Sequence, residues 1–446
     1  MKSAQADNGQ VRPGIWQLAW PAILTNLLMS MSQFINIKVV GSLGPEAIAA
    51  VTTGGRIFFI TQAVMMAISA GTVALVARAW GAEKYDEVNA ITRTSLALAG
   101  CLSLVISLPG VLIPHTLAHI FDLDKKTLEL AGDYIFWISF FNFSYVMHIV
   151  LGAALRAAGD TMTPLWIGGA TNIVTIILVY PLVFGSFGIP ALGVSGAAIS
   201  AGIAFCLSSL VMLYFLLDGK LKVTLGKAGD INKVRLKKLF HIGLPSGIEQ
   251  AIFQIGFLVF LIIVAKYGTA PYAAYGIGVT LLSFSFVVGF GFSIAGSTLA
   301  GQYLGAKDPA GAMAAGWRTM ILSIGLMSIL GLIIISSAEP LASFLIDDPE
   351  VINFTVIFIY ILGAVQPLMA IEHSLGGALR GAGDTRFPLY CTMTGLIGVR
   401  VTLSLIFYYL GLSVIWIYAA LIFDYIIKAI MLIYRFRSGV WQRVLS

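Results

Sequence analysis

Residues 151–164 read L-G-A-A-L-R-A-A-G-D-T-M-T-P, and residues 375–388 read L-G-G-A-L-R-G-A-G-D-T-R-F-P. The two phrases are identical at 10 of 14 positions and lie 224 residues apart in a chain of 446. A repeated phrase at half the chain length indicates a duplicated unit. We therefore predict that the chain folds as two similar halves.

Each copy of the phrase predicts a joint between two helices. An arginine closes one apolar run, a glycine turn follows, and Asp-Thr and a proline open the next apolar run. Asp160 and Asp384 stand where a side chain can cap the following helix. Arg156 and Arg380 stand where a cation stabilises the negative end of the preceding helix. We interpret these four residues as structural joints rather than as substrate ligands.

The composition is that of a membrane protein. Hydrophobic residues make up 58% of the chain, charged residues only 11%, and the mean hydropathy is +0.92, whereas soluble proteins contain roughly 25% charged residues. Runs of about 20 apolar residues mark membrane-spanning helices, and the sequence contains twelve. They lie near 15–40, 48–72, 92–113, 131–153, 164–186, 191–217, 241–265, 273–300, 317–337, 352–378, 388–410 and 412–434.

The predicted fold is an all-α polytopic membrane protein with twelve transmembrane helices. The duplication indicates two six-helix bundles related by a pseudo-twofold axis along the membrane normal. We predict an N-terminal lobe over 1–217, a basic cytoplasmic linker over 218–238 and a C-terminal lobe over 239–446.

Lysine and arginine are distributed unevenly along the chain. With a cytoplasmic N-terminus, 21 of the 27 fall on the cytoplasmic side, as the positive-inside rule requires. We predict a multi-pass protein of the inner cell membrane with both termini in the cytoplasm. The net charge of +6 follows from this asymmetry, so anionic lipid is the expected partner and nucleic acid is not.

No cofactor, metal or catalytic motif is evident. Cys101, Cys206 and Cys391 lie inside apolar runs without close spacing, and His115 with His119 lacks a third ligand. Phosphate loops and nucleophile elbows are missing from the sequence. We therefore expect neither an enzyme nor a resident metal or cofactor.

Polar residues form a stripe on the first predicted helix. Asn26, Ser30, Gln33 and Asn36 share one helical face, and such a stripe within lipid must face protein or water. Lys38 follows near the outer end, where it either reaches the membrane surface or places a cation in an outward-open cavity. We predict that these five residues line the substrate cavity.

The seventh apolar run repeats the polar stripe of the first and adds an acid. Glu249, Gln250 and Gln254 lie on one face, and Glu249 stands inside the apolar span. An intramembrane acid is costly and therefore marks a functional candidate, although a protonated Glu249 bonded to a neighbouring helix is the structural alternative. We assign Gln250, Gln254 and Asn172 of the fifth helix to the cavity.

Five further charged or titratable residues lie inside apolar runs. Glu372 and His373 precede the second joint, where they form a gate, a proton relay or a local pair with another helix. Arg400, and Asp424 with Lys428 at a spacing of four residues, are expected to form ion pairs within the bundle.

The chain resembles the multidrug and toxic compound extrusion (MATE) family of antiporters. The resemblance is carried by the two R-x-A-G-D-T-x-x-P joints, V-G-S-L-G-P-E-A-I-A-A-V at residues 40–51 and G-L-P-S-G-I-E-Q at residues 243–250. It implies export of amphipathic, often cationic compounds in exchange for H⁺ or Na⁺, through a cavity between two lobes.

The resemblance fails at one informative position. Many members carry an ion-coupling aspartate five residues before the first glycine of the Val-Gly-x-Leu-Gly phrase, which is Gly41 here, and this chain has Asn36 at that position. Because asparagine cannot titrate, we place coupling in the C-terminal half at Glu249, with Glu372 and His373 as further candidates. We expect a monomer that exchanges a small-molecule substrate for H⁺ or Na⁺. The alternative is a flippase or dedicated metabolite exporter of the same superfamily with an anionic or zwitterionic substrate, which Lys38 and Arg56 would suit.

Overall fold

The computed structural model describes residues 13–186, 188, 190–225 and 232–444. Three segments longer than one residue lie outside the described residues. They are 1–12 and 445–446, which contain the predicted cytoplasmic termini, and 226–231 of the predicted linker. Twelve of the described helices are long and apolar enough to cross a membrane, as the sequence predicts. They are α1 Ile15–Gly41, α2 Pro45–Gly81, α3 Tyr85–Leu112, α4 Lys125–Ala157, α5 Met162–Phe184, α6 Gly193–Leu217, α7 Lys233–Ala265, α8 Thr269–Gly305, α9 Pro309–Ser336, α10 Pro349–Gly381, α11 Arg386–Tyr409 and α12 Val414–Ser438.

The helices of the two halves match in length. α2 and α8 have 37 residues each, α3 and α9 have 28, α4 and α10 have 33, and α6 and α12 have 25. A short helix follows the third span of each half, Pro114–Ala118 in one and Ala338–Leu345 in the other. The repeat that the sequence indicates is therefore also a repeat of secondary structure among the described helices, in which α1 with 27 residues and α7 with 33 are the pair that differs most.

The joint between the fourth and fifth helix of each half has the same backbone geometry. The Asp160 N–H donates to the carbonyl of Leu155, five residues earlier, at 2.9 Å. The Asp384 N–H donates in the same way to the carbonyl of Leu379 at 2.9 Å. The preceding glycine has a φ of +78° in the first joint and +91° in the second. Glycine adopts this left-handed conformation without steric cost, so it ends each helix.

The two joint aspartates have different partners. Asp160 caps α5, since its carboxylate accepts the Thr163 N–H at 3.0 Å and the Thr163 hydroxyl at 2.7 Å. Asp384 instead accepts a 2.8 Å hydrogen bond from Nε of Arg435 in the last turn of α12. The joint aspartate therefore caps the start of α5 in the first half, whereas in the second half it links the joint to α12.

The chain forms two compact units whose boundaries fall inside helices. The first unit comprises residues 24–243, and the second comprises the residues up to Ile23 together with Leu244 onwards. The boundary in α1 lies two residues after Pro21, and the boundary in α7 lies two residues before Pro245. Proline removes a helical hydrogen bond. In both helices the boundary between the units therefore lies close to a position where the helix lacks one hydrogen bond.

The predicted inter-lobe linker packs onto the first unit. The side chains of Leu221 and Val223 are buried there in one hydrophobic cluster with residues of α2, α3 and α4. Polar contacts also hold the linker on both sides of the segment 226–231. They join Arg93 Nη1 to the Leu225 carbonyl at 2.9 Å, Thr224 N to Asn89 Oδ1 at 2.9 Å, and Arg235 Nη2 to Glu87 Oε2 at 2.7 Å.

In the second unit, glycines allow α8 and α10 to pack in backbone contact. A Cβ at Gly377 would collide with the backbone of Ser293, and a Cβ at Gly381 would collide with the backbone of Ser297. Small residues at such positions let transmembrane helices approach closely. This contact fixes α10, which carries Glu372, His373 and Arg380.

Candidate functional site

The acids in the interior of the described spans all belong to the second unit. In residues 24–243, every described acidic residue lies outside a helix or within the first nine residues of one. The second unit places Glu249 on α7, Glu372 on α10 and Asp424 on α12, each well inside its helix. Candidate proton or cation chemistry is therefore concentrated in this unit.

Glu249 lies where three helices of the second unit meet. Its Oε1 accepts hydrogen bonds from Arg380 Nη2 at 3.0 Å and from the Thr392 hydroxyl at 3.2 Å. Its Oε2 lies 3.4 Å from Arg380 Nε. The side chain of Glu249 is 13% exposed and that of Arg380 is 26% exposed. α7, α10 and α11 thus share one carboxylate, which is largely buried and accepts hydrogen bonds at both oxygens.

Arg380 reaches Glu249 because its side chain runs back along its own helix. Its guanidinium group lies over Gly376, where an added Cβ would stand 3.4 Å from Nη1 and 3.7 Å from Cζ. The first half repeats this arrangement, with Arg156 lying over Gly152. The arginine that the sequence marks as a joint residue therefore also forms the candidate site in the second half.

A second ionic cluster involves α10, α11 and α12. Lys428 Nζ lies 3.2 Å from Glu372 Oε1 and 3.2 Å from Asp424 Oδ1. Arg400 forms an ion pair with the other oxygen of Asp424. Lys428 and Asp424 are almost completely buried, with side chains 1% and 0% exposed. Lys428, for which the sequence predicts an ion pair with Asp424 within the bundle, is therefore an interior residue.

Arg400 belongs to a π-helical segment that interrupts α11. α11 runs as an α-helix over Arg386–Thr392, as a π-helix over Met393–Val401 and again as an α-helix over Thr402–Tyr409. A Cβ at Gly395 within this segment would collide with Asp424 and Lys428. π-Helices are rare and often occur at functional sites, and this one begins directly after the Thr392 that contacts Glu249.

His373 is held by its own helix. Its Nδ1 lies 2.9 Å from the Met369 carbonyl, and its ring packs edge-on against Phe286 and Phe290 with centroids 5.5 Å apart in both cases. Because a carbonyl only accepts hydrogen bonds, Nδ1 carries the proton. The ring is a packed element of the α8–α10 interface.

The family of the chain follows from the comparison of its sequence with known families. The family model described as MatE matches residues 21–181 and 245–406. The chain belongs to the MATE family of multidrug efflux transporters. Its family is one of membrane transporters rather than enzymes, and small molecules are the substrates of such proteins.

Relatives of this MATE transporter extend over nearly its full length. It is 30% identical over 444 residues to a probable multidrug resistance protein NorM of Thermotoga maritima, covering 97% of this chain and 94% of that protein. It is 23% identical over 433 residues to the uncharacterized transporter YisQ of Bacillus subtilis, covering 96% and 94%.

Solved structures share the fold of this MATE transporter. The Vibrio cholerae MATE transporter VcmN, crystallised as a mutant, aligns with a TM-score of 0.88 at 21% identity, covering 96% of this chain and 97% of that one. A transporter of the MOP superfamily from Pyrococcus furiosus aligns with a TM-score of 0.87 at 19% identity, covering 95% and 94%.

The predicted cavity residues of this MATE transporter lie on helices of both units. Those of α1 belong to the first unit, where Asn26, Ser30 and Asn36 are half-buried and Gln33 and Lys38 are exposed. Their contact with substrate stays a prediction.

The remaining predicted cavity residues differ in how their side chains are used. Gln250 and Gln254 of α7 belong to the second unit and are half-buried. Asn172 donates one amide N–H to the Gly168 carbonyl of its own helix at 2.9 Å, so one of its two N–H donors is already occupied. A role in substrate binding stays a prediction for all three.

The combination of charges in this MATE transporter was not predicted from the sequence. Arg380 was predicted as a joint residue apart from Glu249, and Thr392 was not predicted as part of the site. The signal that could have linked them is charge balance, because the interior of one half contains three acids and three bases. Among the described residues, no group of three or more His, Cys, Asp or Glu side chains could hold a metal ion.

Proposed function

We propose that this MATE transporter exports amphipathic organic cations in exchange for protons, and that Glu249 is the proton-binding residue. The observation that carries the proposal is the Glu249 carboxylate, held inside a membrane-spanning helix by Arg380 and Thr392. A NorM relative with 30% identity is described as a probable multidrug resistance protein, which supports a multidrug substrate range.

A carboxylate in this position suits an exchange reaction. Ionised Glu249 can attract a proton or an organic cation, but one carboxylate cannot neutralise both at once. Binding of either ligand therefore promotes release of the other, which is the condition for antiport. Intramembrane acids are costly to the fold and commonly serve ion pathways.

The surroundings of Glu249 favour H⁺ over Na⁺ as the coupling ion. A sodium ion would have to displace Arg380, whose guanidinium lies 3.0 and 3.4 Å from the two carboxylate oxygens, and would then need several oxygen ligands. The Thr392 hydroxyl contacts Glu249, but among the described residues no group of three or more His, Cys, Asp or Glu side chains could hold a metal ion. A proton needs no coordination shell and removes the charge of the carboxylate directly.

The proposal is tested by reconstituting the protein in liposomes and following uptake of a fluorescent organic cation. A pH gradient and a Na⁺ gradient are imposed separately, on wild type, Glu249→Gln and Glu339→Gln. Glu339 is an exposed acid of the short helix after α9 and provides the matched control. We expect the pH gradient alone to drive uptake in wild type and Glu339→Gln, and no gradient dependence in Glu249→Gln.

Three results would contradict the proposal in different ways. Gradient-driven uptake in Glu249→Gln would remove Glu249 from its role as the proton site. Uptake driven only by Na⁺ would refute proton coupling. Failure of wild type under both gradients, with folded protein, would refute the cationic substrate and favour an anionic or zwitterionic one, with Lys38 and Arg56 as the next residues to replace.

We also infer that both chain ends face the cytoplasm and that a single chain is the working unit. Basic residues cluster around the connection between the halves, whereas the loops after α3 and α9 are acidic. Reporter fusions at each end test the orientation, and activity at either end of a reporter that works only outside the cytoplasm would refute it.

One chain contains both repeats, so alternating access requires no second copy, and light scattering of the purified protein tests this.

Anionic lipid is the expected partner of the cytoplasmic surface. Lysines on both sides of the segment 226–231 are exposed, namely Lys220, Lys222, Lys233, Lys237 and Lys238. Such clusters attract acidic headgroups by about 1 kcal/mol per charge near the surface. Binding of the purified protein to vesicles with and without phosphatidylglycerol measures the effect, and equal binding to both would contradict it.

A further inference from the structure

Six charged residues of the second unit alternate in sign through the bundle. We call them the charge chain, and each measured link joins opposite charges. In order they are Glu249, Arg380, Glu372, Lys428, Asp424 and Arg400. Three acids and three bases make the charge chain neutral when Glu249 is ionised. Adding one proton at Glu249 leaves it with one uncompensated positive charge.

The link between Arg380 and Glu372 lies within α10. The Arg380 guanidinium lies over Gly376, which is four residues from Arg380 and four residues from Glu372. One turn of helix, about 6 Å, therefore separates the guanidinium position from the level of Glu372. Opposite charges at such a separation attract each other. The Arg380 side chain already spans the turn from its own Cα to Gly376, so the two groups meet when Glu372 turns toward the C-terminal end of α10, and Gly376 has no side chain to stand between them.

We propose that Arg380 is a two-position switch, which leaves Glu249 for Glu372 whenever Glu249 binds a proton or a cationic substrate. This inference rests on the proposed function of Glu249 as the proton site. Glu372 is then a positioning residue that receives the arginine, and it is not itself the proton site.

The reason for the shift is the cost of an unpaired buried charge. A protonated Glu249 no longer compensates Arg380, and a buried cation left without its partner is strongly destabilising. Glu372 offers a carboxylate one turn away. Lys428 can give up its contact with Glu372 to Arg380, because it keeps its contact with Asp424 at 3.2 Å. Asp424 in turn is shared with Arg400.

Other groups around the charge chain do not provide the same partner. Cys391 and Tyr425 lie near Glu372, but a thiol and a phenol are neutral at physiological pH. His373 has Nδ1 committed to the Met369 carbonyl. Thr392 keeps its contact with Glu249 in both states, because a hydroxyl donates to a carboxylate and accepts from a carboxylic acid. A carboxylate is therefore needed to receive Arg380, and Glu372 supplies it.

The switch has a functional consequence for an antiporter. When neither ligand is bound, Arg380 pairs with the Glu249 carboxylate, which is the group that both ligands need. The guanidinium then takes the place of the bound cation. A proton and a cationic substrate then displace the same internal ligand. Their competition is transmitted to α12 and to the π-helical segment of α11 through Lys428, Asp424 and Arg400.

The decisive variant is Glu372→Gln/Lys428→Met, which removes one acid and one base and leaves the charge chain neutral. If Glu372 only neutralises Lys428, this double variant should keep the wild-type pH dependence. If Glu372 receives Arg380, protonation of Glu249 becomes harder, and its midpoint should fall by at least about one pH unit, a tenfold loss of proton affinity. Glu87→Gln/Arg235→Gln removes one ion pair of the first unit and is the matched control.

Two readouts follow the midpoint in the full-length protein. Infrared difference spectroscopy measures the protonated carboxyl band that disappears in Glu249→Gln, and proteoliposomes measure the pH dependence of organic-cation exchange. A wild-type midpoint in Glu372→Gln/Lys428→Met overturns the switch and leaves the proposed function intact. Retention of the carboxyl band and of pH-driven exchange in Glu249→Gln overturns the proposed function instead.

A milder variant keeps the test valid if the double variant fails to fold. Gly376→Ala adds a methyl group in ordinary contact with the resting guanidinium, 3.4 Å from Nη1, but on the path toward Glu372. We expect exchange to slow at least threefold with binding of the organic cation retained. Gly152→Ala places the same methyl beside Arg156 in the first half and should exchange at the wild-type rate. Equal rates in both variants would contradict the switch.

Discussion

Replacing Lys428 by methionine should destabilise the protein more than a typical substitution. Lys428 Nζ contacts Glu372 and Asp424 at 3.2 Å each, and its side chain is 1% exposed. Coulomb's law gives about 5 kcal/mol for each contact at an effective dielectric constant of about 20. The desolvation that these contacts offset is of similar size. Removing one partner of such a buried group leaves uncompensated charge and costs about 3–5 kcal/mol.

The double variant with Glu372→Gln separates this charge effect from the loss of packing. It restores neutrality, so at least half of the lost stability should return, a coupling of roughly 2 kcal/mol between the two sites. The assay is reversible unfolding of the purified protein in mixed micelles by titration with sodium dodecyl sulfate. A single variant that costs less than about 1 kcal/mol, or a double variant no more stable than the single one, would refute the buried ion-pair reasoning.

Three further substitutions and one control test the helix packing, a joint and the linker contact, each by unfolding in mixed micelles. Gly377→Ala should cost about 1–3 kcal/mol, because its methyl would collide with the α8 backbone, whereas Gly325→Ala has open space and should cost nothing; equal effects would contradict the close packing. Asp160→Ala should cost about 1 kcal/mol by loss of a helix cap, and no change would show that water replaces the cap. Glu87→Gln should cost less than about 1 kcal/mol because its pair with Arg235 is partly exposed; a larger loss would show that the linker contact stabilises the whole first unit.

The sequence alone predicts the helical architecture well. Twelve apolar runs correspond to twelve spanning helices, because lipid leaves the backbone of a spanning segment no other regular structure than a helix or a closed barrel. The helix ends extend past the apolar runs. α10, for example, begins at Pro349 and ends at Gly381, since its capped first turn and its joint arginine are polar but helical. Hydropathy measures the lipid-facing part of a helix and not its full length.

Pairing among the charges could not be read from the sequence. Arg380 and Glu249 are separated by 131 residues, and the joint phrase that contains Arg380 also occurs in the first half, where the matching helix has a threonine in place of Glu249. A motif therefore predicts where Arg380 ends its helix but not which side chain it contacts. The π-helical segment of α11 was also not predicted, because its apolar residues fit either helix type.

What the sequence determined by itself is the set of elements: twelve helices, their duplication, two joints and an interior acid at Glu249. Those features are local, and they follow from hydrophobic length, from glycine and proline at helix ends, and from the cost of charge in lipid. What only the tertiary structure decided is the order of the charge chain from Glu249 to Arg400. That order depends on side chains of four helices meeting within about 3 Å, and such contacts are set by packing across long chain separations rather than by any local pattern.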